Sequence, residues 1–238
     1  MPNSMQVIDE VRKSVYAEYK TTEIDTRALP YLRRLIKRHF PRESSAKILD
    51  LGCGKGALLL VCRELGYTAC SGVDISVSQV NVCVDRNLRV EAMDCFTALE
   101  RVPSSALDVV VTFDLIEHLT KAELLVLGND IYRALTPGGR WIIHTANAEG
   151  PFGSRIRFAD LTHEQAFTTE SIEQLRGLVG FSGVHFEEDR PVPHGFASAC
   201  RAIAWLAARS ILLAFYLIET GAIRKRILSQ NLLAILEK

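Results

Sequence analysis

Ile48-Leu49-Asp50-Leu51-Gly52-Cys53-Gly54-Lys55-Gly56 decides the fold. An apolar run carrying one aspartate stops at glycines spaced two apart, and a helical pattern from Ala57 follows at once. Strand, tight turn and helix in that order make the context of a loop that receives a ligand. Gly52 and Gly54 reach backbone angles closed to other residues and leave no side chain between the chain and a ligand. Gly56 opens a helix whose first N–H groups lack intrahelical partners and point at the same spot.

Outward from this loop, strands alternate with helices. Strands are predicted at Lys47–Leu51, Ala69–Val73, Arg89–Met93, Leu107–Thr112, Arg140–Thr145 and Val184–Glu187. The β-branched run of Leu107–Thr112 fits a central strand buried on both faces. The alternation gives an α/β fold, a doubly wound sheet with helices on both faces. Three regions are expected. Residues 1–45 form a helical preamble or cap, with helices over 5–20 and 25–39. Residues 46–190 hold the sheet. Residues 191–238 form an apolar helical C-terminal extension, with an Ala-, Leu- and Ile-rich stretch over 196–219 and a second helix over Ile227–Ile235. No seventh strand is evident. The uninterrupted apolar pieces, broken by Arg201 and Arg209, fall short of the roughly 20 residues a membrane span needs.

Two cofactor classes use such a glycine loop. Formally, Gly52-x-Gly54-x-x-Ala57 fits the dinucleotide pattern. Asp50 argues against it, because a carboxylate at the end of the first strand repels a pyrophosphate. S-adenosylmethionine has no phosphate and carries an ammonium and a sulfonium. The stretch resembles the first motif of class I S-adenosylmethionine-dependent methyltransferases, hydrophobic-hydrophobic-Asp-hydrophobic-Gly-x-Gly-x-Gly. Leu135-Thr136-Pro137-Gly138-Gly139-Arg140, ahead of the fifth strand, resembles the same family. The resemblance implies a Rossmann-like methyltransferase sheet, with Asp50, Gly52, Gly54 and the Phe113–Asp114 backbone around the cofactor. Asp74, at the end of the second strand, is placed to accept both ribose hydroxyls; capping the next helix is its alternative role, which Ser76 can also fill. Ile75 follows it and packs on the adenine. Asp94, with Cys95 beside it, matches the family position that accepts the adenine amine, the alternative being a turn-forming aspartate.

Methyl transfer is an in-line displacement, and a hydroxyl acceptor must also lose its proton to a base or a metal. Asp114, Glu117 and His118 have i, i+3, i+4 spacing and share one face of a helical turn. His144 and His163 come later. The strand-4 pattern resembles two O-methyltransferase groups, those of ubiquinone biosynthesis and those acting on the 2′-hydroxyl at small-RNA ends. That implies a divalent metal such as Mg on Asp114, Glu117, His118 and His163, although Asp114 stands where the pattern has Glu. Without metal, His163 and His118 with Glu117 become the catalytic acid–base groups. A helix-start pair and a loop hydrogen bond are the purely structural alternatives. The connection over 146–168 has the length of a functional loop. Its end, Asp160-Leu161-Thr162-His163-Glu164-Gln165-Ala166-Phe167-Thr168, resembles bacterial methyltransferases of polysaccharide and lipid-linked glycan synthesis.

The 28 basic and 28 acidic side chains balance, which gives no general case for nucleic acid, although Arg33, Arg34, Lys37 and Arg38 form a basic face. Six cysteines without a CxxC pair fit a reducing, cytoplasmic setting, and the polar start lacks a signal-peptide core. Residues 196–238, with Arg224, Lys225 and Arg226, are expected to touch a membrane surface, or to pack on the domain or in a homodimer. The expected activity is methyl transfer to a hydroxyl of a glycan or lipid-linked saccharide. Alternatives are a quinone precursor or small aromatic, an RNA 2′-hydroxyl, and a non-catalytic membrane-peripheral protein that binds S-adenosylmethionine.

Overall fold

A computed structural model describes residues 24, 26–193, 195–221 and 226–238. The helix expected over 5–20, and Arg224 and Lys225, lie outside the described residues. Helix α1 (Leu29–His39) has Pro30 in its first turn, where a missing N–H costs nothing. Then follow β1 (Lys47–Leu51), α2 (Ala57–Glu64), β2 (Ala69–Asp74), α3 (Val77–Val84), β3 (Val90–Ala92), α4 (Cys95–Glu100), β4 (Leu107–Phe113), a 3₁₀ turn (Ile116–His118), α5 (Lys121–Ala134) and β5 (Leu135–Ala146). The long connection carries a short helix, α6 (Gly153–Ala159), before α7 (Thr169–Val179), β6 (Gly183–Glu188), α8 (Phe196–Thr220) and β7 (Asn231–Glu237). Thr120 with Glu123 closes a capping box at the start of α5, and Thr168 with Ser171 does the same for α7.

The seven strands form one sheet in the order β3-β2-β1-β4-β5-β7-β6. All neighbours are parallel except β7, which runs antiparallel to both β5 and β6. Helices cover both faces, as expected. One apolar layer includes Leu51, Val110, Trp141 and Phe181, and the other Ile36, Ile48, Val109 and Ile142. Trp141 is fully buried and its indole N–H donates to Thr112 Oγ1 at 3.0 Å, so its polar atom is satisfied.

The chain's end departs from the helix expected over Ile227–Ile235. Residues 231–237 are not helical; they form β7, inserted between β5 and β6, and the sheet therefore uses residues beyond 190. Leu232, Leu233, Ala234, Ile235 and Leu236 are all buried because both faces of β7 are covered. A strand buried on both faces loses its period-2 alternation and reads like a buried helix.

Helix α8 is the apolar helix expected over this stretch, and only its apolar length exceeds the expectation. It runs unbroken through Arg201 and Arg209 for 25 residues. Among the described helices it alone is long and apolar enough to cross a membrane, by length and composition. None of its residues is buried.

Candidate active site

The order of the sheet reverses between β1 and β4, and the chain leaves their carboxyl ends in opposite directions. Such a crevice is where α/β sheets bind ligands. A cavity of about 430 Å³ opens there, lined by Tyr31, Asp50, Gly52, Asp114, His144 and Asp189 among others.

The glycine loop is built for close approach. Gly52, Gly54 and Gly56 have φ of 70°, 54° and 74°, angles that disfavour any side chain. A Cβ on Gly56 would also lie 2.6 Å from Leu88 Cδ1. Gly52 N–H and Cys53 N–H both donate to Val73 O, at 2.9 and 3.0 Å, which ties the loop to the end of β2. Asp74 completes the tie: its carboxylate accepts from Gly54 N–H and from Ser76 N–H, each at 2.8 Å. Its second lone pairs remain for a ligand hydroxyl. Ile75 is half-buried beside it.

Asp50 is 3% exposed, and its Oδ1 has no hydrogen-bond partner among the described residues. Burial, then the charge of Asp74, pushes its carboxyl well above the usual range. An isolated buried carboxylate is costly, and a ligand cation beside it relieves both effects. The residues present therefore fit S-adenosylmethionine. Asp94 is at the N-terminus of α4, where it accepts from Phe96 N–H at 3.0 Å, Thr97 N–H at 2.9 Å and Thr97 Oγ1–H at 2.6 Å. It is thus a helix cap, neither of the two roles expected for it, with Cys95 buried just behind it.

Beyond β4 the backbone turns sharply at Asp114, whose φ of 48° is unusual for a residue with a side chain. Two bonds hold it: Asp114 N–H donates to His144 O at 3.0 Å, and Asp114 Oδ1 accepts from His144 Nδ1 at 2.8 Å. His144 Nε2 reaches Asp189 Oδ2 at 3.3 Å, and its ring stacks on Phe113 at 4.7 Å. Burial alone would lower the His144 pKa; the carboxylates of Asp114 and Asp189 reverse this and push it up to about 10. Burial raises the Asp114 carboxyl, and His144 outweighs that and holds it below the usual range. His144 is therefore an imidazolium clamped between two carboxylates at neutral pH.

Behind Asp114 stands a second cluster. Ligand atoms of Glu117, His118 and His163 lie within 4.8 Å of one another. His163 comes from the long connection, and backbone bonds bring it there: Glu164 N–H and Gln165 N–H donate to Glu117 O at 2.8 and 3.2 Å. His118 Nδ1 faces Thr162 O at 3.3 Å and Thr162 Oγ1 at 3.0 Å, and His163 Nδ1 faces Ile156 O at 3.0 Å. A carbonyl oxygen only accepts, so both rings carry their proton on Nδ1 in the neutral state and present the Nε2 lone pair. Glu117 is 2% exposed and accepts from Thr145 Oγ1–H at 2.8 Å. Burial, then Asp114, pushes its carboxyl up to about 7. This donor set, with ring protons parked on backbone carbonyls, suits a divalent metal as well as acid–base work. Asp114, expected as a fourth ligand, is instead turned toward His144.

Sequence reasoning brought Glu117, His118 and His163 to one place but gave no role to Tyr31 or Asp189. The Tyr31 hydroxyl is buried on the cavity wall without a hydrogen-bond partner among the described residues, and burial, then Asp189, raises its pKa far above the usual range. No motif marks it. Asp189, one residue past β6, was findable only as a carboxylate beyond a strand end.

The profile of a methyltransferase-domain family matches residues 24–185. The ubiquinone biosynthesis O-methyltransferase of Rickettsia typhi is 27% identical over 50% of this chain and 48% of that protein. The phosphoethanolamine N-methyltransferase 1 of Zea mays is 27% identical over 60% of this chain and 29% of that protein. The chain thus spans less than half the length of these curated relatives. A solved S-adenosylmethionine-dependent methyltransferase from Archaeoglobus fulgidus superposes with a TM-score of 0.66 at 20% identity, covering 88% of this chain and 94% of that one. Solved structures of this fold hold S-adenosylhomocysteine.

Proposed function

Because the chain belongs to the methyltransferase-domain family and takes S-adenosylmethionine as its cofactor, we propose that it transfers the methyl group to a hydroxyl oxygen, on a sugar of a glycan or lipid-linked saccharide. Asp50, Gly52, Gly54 and the Phe113–Asp114 backbone hold the methionine end. Asp74 takes the ribose hydroxyls, and Ile75, Asp94 and Cys95 border the adenine.

The observation that carries the hydroxyl reading is the convergence of Glu117, His118 and His163 within 4.8 Å, next to Asp114 on the cavity wall. A neutral amine attacks with its own lone pair. A hydroxyl must also give up a proton, and two imidazole Nε2 lone pairs and a carboxylate supply acceptors for it. The acceptor oxygen bonds to the methyl carbon opposite sulfur; the carbon–sulfur bond breaks with its electron pair staying on sulfur, and the hydroxyl proton passes to His163 Nε2. A divalent ion held instead by Glu117, His118 and His163 would lower the hydroxyl pKa by Lewis-acid polarisation, with His163 Nε2 then a ligand and not the proton acceptor. The similarity to a ubiquinone O-methyltransferase favours a second reading, the phenol of a quinone precursor. Exposed helix α8 supports contact with a membrane surface from the cytoplasmic side.

Transfer of label from methyl-labelled S-adenosylmethionine into fractionated cell extract tests this. Label is expected in a saccharide, as a methyl ether. Label confined to an amine product overturns the hydroxyl reading, and no transfer with intact cofactor binding leaves a non-catalytic binding protein.

A further inference from the structure

Helix α8 has two chemically distinct sides. Phe196, Ile203, Ile211 and Ile218, spaced by seven or eight residues, form one stripe and are 89%, 68%, 61% and 82% exposed. The charged residues of the helix avoid that stripe. Arg209 Nε sits 2.8 and 2.9 Å from the two oxygens of Glu188 on the domain. Arg201 lines the cavity. Glu219 lies one turn from Tyr216, whose hydroxyl donates to Glu149 O at 2.6 Å. The inner side is thus tied to the protein, and a face of bare phenyl and aliphatic side chains is turned outward.

The topology decides between crossing a membrane and lying on one. The strands flanking α8 are neighbours, with Glu188 of β6 paired with Leu232 of β7. A helix of 25 residues is roughly 37 Å long. Had it crossed a bilayer, residues 221–230 would have to return over that distance. Such a return would carry irregular backbone, its N–H and C=O groups unsatisfied, through hydrocarbon, and Arg209, midway along the helix, is bonded to Glu188 of the domain. The helix is therefore confined to one side, the arrangement of an interfacial helix with an apolar outer face and basic residues behind it.

Its position relative to the cavity adds a ligand. Arg201 on α8 and Arg190 are exposed lining residues of the cavity, which also has Asp50, Asp114 and Asp189 on its walls. Among the described residues neither arginine is in an ion pair, and both are exposed. Cationic groups at the rim of an acidic cavity, on the edge of an apolar face, match the phosphate layer of a bilayer. We propose that α8 lies in the bilayer interface and seats the cavity mouth against anionic phospholipid, with Arg190 and Arg201 taking the phosphate of a lipid-borne acceptor. The acceptor clause rests on the methyl-transfer reading; the seating does not.

Flotation with vesicles of phosphatidylcholine alone and of phosphatidylcholine with 30% phosphatidylglycerol tests it, with calorimetric titration of S-adenosylmethionine alongside. The protein is expected to float with the anionic vesicles. Ile203→Glu/Ile211→Glu, on the exposed side of the helix, is expected to stay in the dense fraction while binding cofactor normally. Arg190→Ala/Arg201→Ala is expected to lose at least fivefold in affinity for the anionic vesicles, again with unchanged cofactor affinity. Failure of the native protein to float overturns the proposal, as does a stable dimer that the Ile203→Glu/Ile211→Glu variant splits, since the face would then join two copies. A parallel loss of cofactor affinity in the arginine variant assigns those residues to the cofactor and overturns the phosphate site. Flotation without any cofactor binding would instead defeat the methyltransferase reading and leave the interfacial helix standing.

Discussion

Asp114 Oδ1 lies 2.8 Å from His144 Nδ1, an ion pair that joins the end of β4 to the end of β5 on the wall of the cavity. The raised His144 pKa stabilises the fold fully below the ordinary histidine pKa and loses that effect as pH climbs through about 10. The lowered Asp114 pKa stabilises it above the ordinary aspartate range and loses the effect as pH falls through its folded value. His144→Gln is therefore expected to cost the most between pH 5 and 6.5, about 2–3 kcal/mol, and least near pH 10. Thermal unfolding of both proteins across that range checks it; a pH-independent difference would remove the ion pair from the account.

Asp50→Asn should separate stability from binding. The buried Asp50 carboxylate is disfavoured by its own burial and by Asp74, so replacing it with a neutral amide is expected to leave the melting temperature of the cofactor-free protein unchanged or raised at pH 7–8. The same change removes the negative charge facing a cationic ligand and should weaken S-adenosylmethionine binding at least tenfold. Unchanged affinity by calorimetry would refute the assignment.

Asp74 has two duties. Asp74→Ala is expected to weaken cofactor binding more than tenfold. It should also lower stability by about 1–3 kcal/mol, because Gly54 and Ser76 lose the acceptor of their N–H groups. Calorimetry of the variant should show both losses; full affinity at reduced stability would leave Asp74 as a loop tie alone.

Turnover should follow Glu117. Its carboxyl is pushed up to about 7, so kcat is expected to rise with pH through a midpoint near 7, as the anion forms. Glu117→Gln should flatten that limb and lower kcat by about 100-fold or more. His163→Ala should lose turnover by a similar factor while keeping cofactor affinity within twofold. A native midpoint persisting in Glu117→Gln would place the titration elsewhere. Chelator treatment and restoration by Mg test the metal separately.

Leu236 is fully buried in β7, whereas Leu206 on α8 is 52% exposed. Leu236→Ala is expected to cost about 2–5 kcal/mol in urea unfolding, and Leu206→Ala no more than about 0.5 kcal/mol. Equal small costs would mean that the last strand is not part of the core.

The cofactor half of the site was legible because its information is local. Asp50, the glycines with positive φ and Asp74 lie at strand ends and in one turn, where residue type dictates backbone angle and charge. The Glu117-His118 pair was also visible, and the Thr162-His163 segment could be assigned to it through a resemblance. By itself, then, the sequence determined the strand–turn–helix unit, the parallel part of the sheet and the class of cofactor, since periodicity, glycine conformation and a misplaced carboxylate act over a few residues. Tertiary structure alone decided that Leu232–Leu236 is a strand rather than a helix, since a run buried on both sides has no period to read. It alone brought Tyr31, Asp189 and His144 to one cavity from α1, the end of β6 and β5. It turned Asp114 from Glu117, His118 and His163 to His144, because the pairing of β4 with β5 sets which partner lies within hydrogen-bond reach. And it left one side of α8 exposed, because Arg209 and Tyr216 on its other side are bonded to Glu188 and Glu149 of the domain.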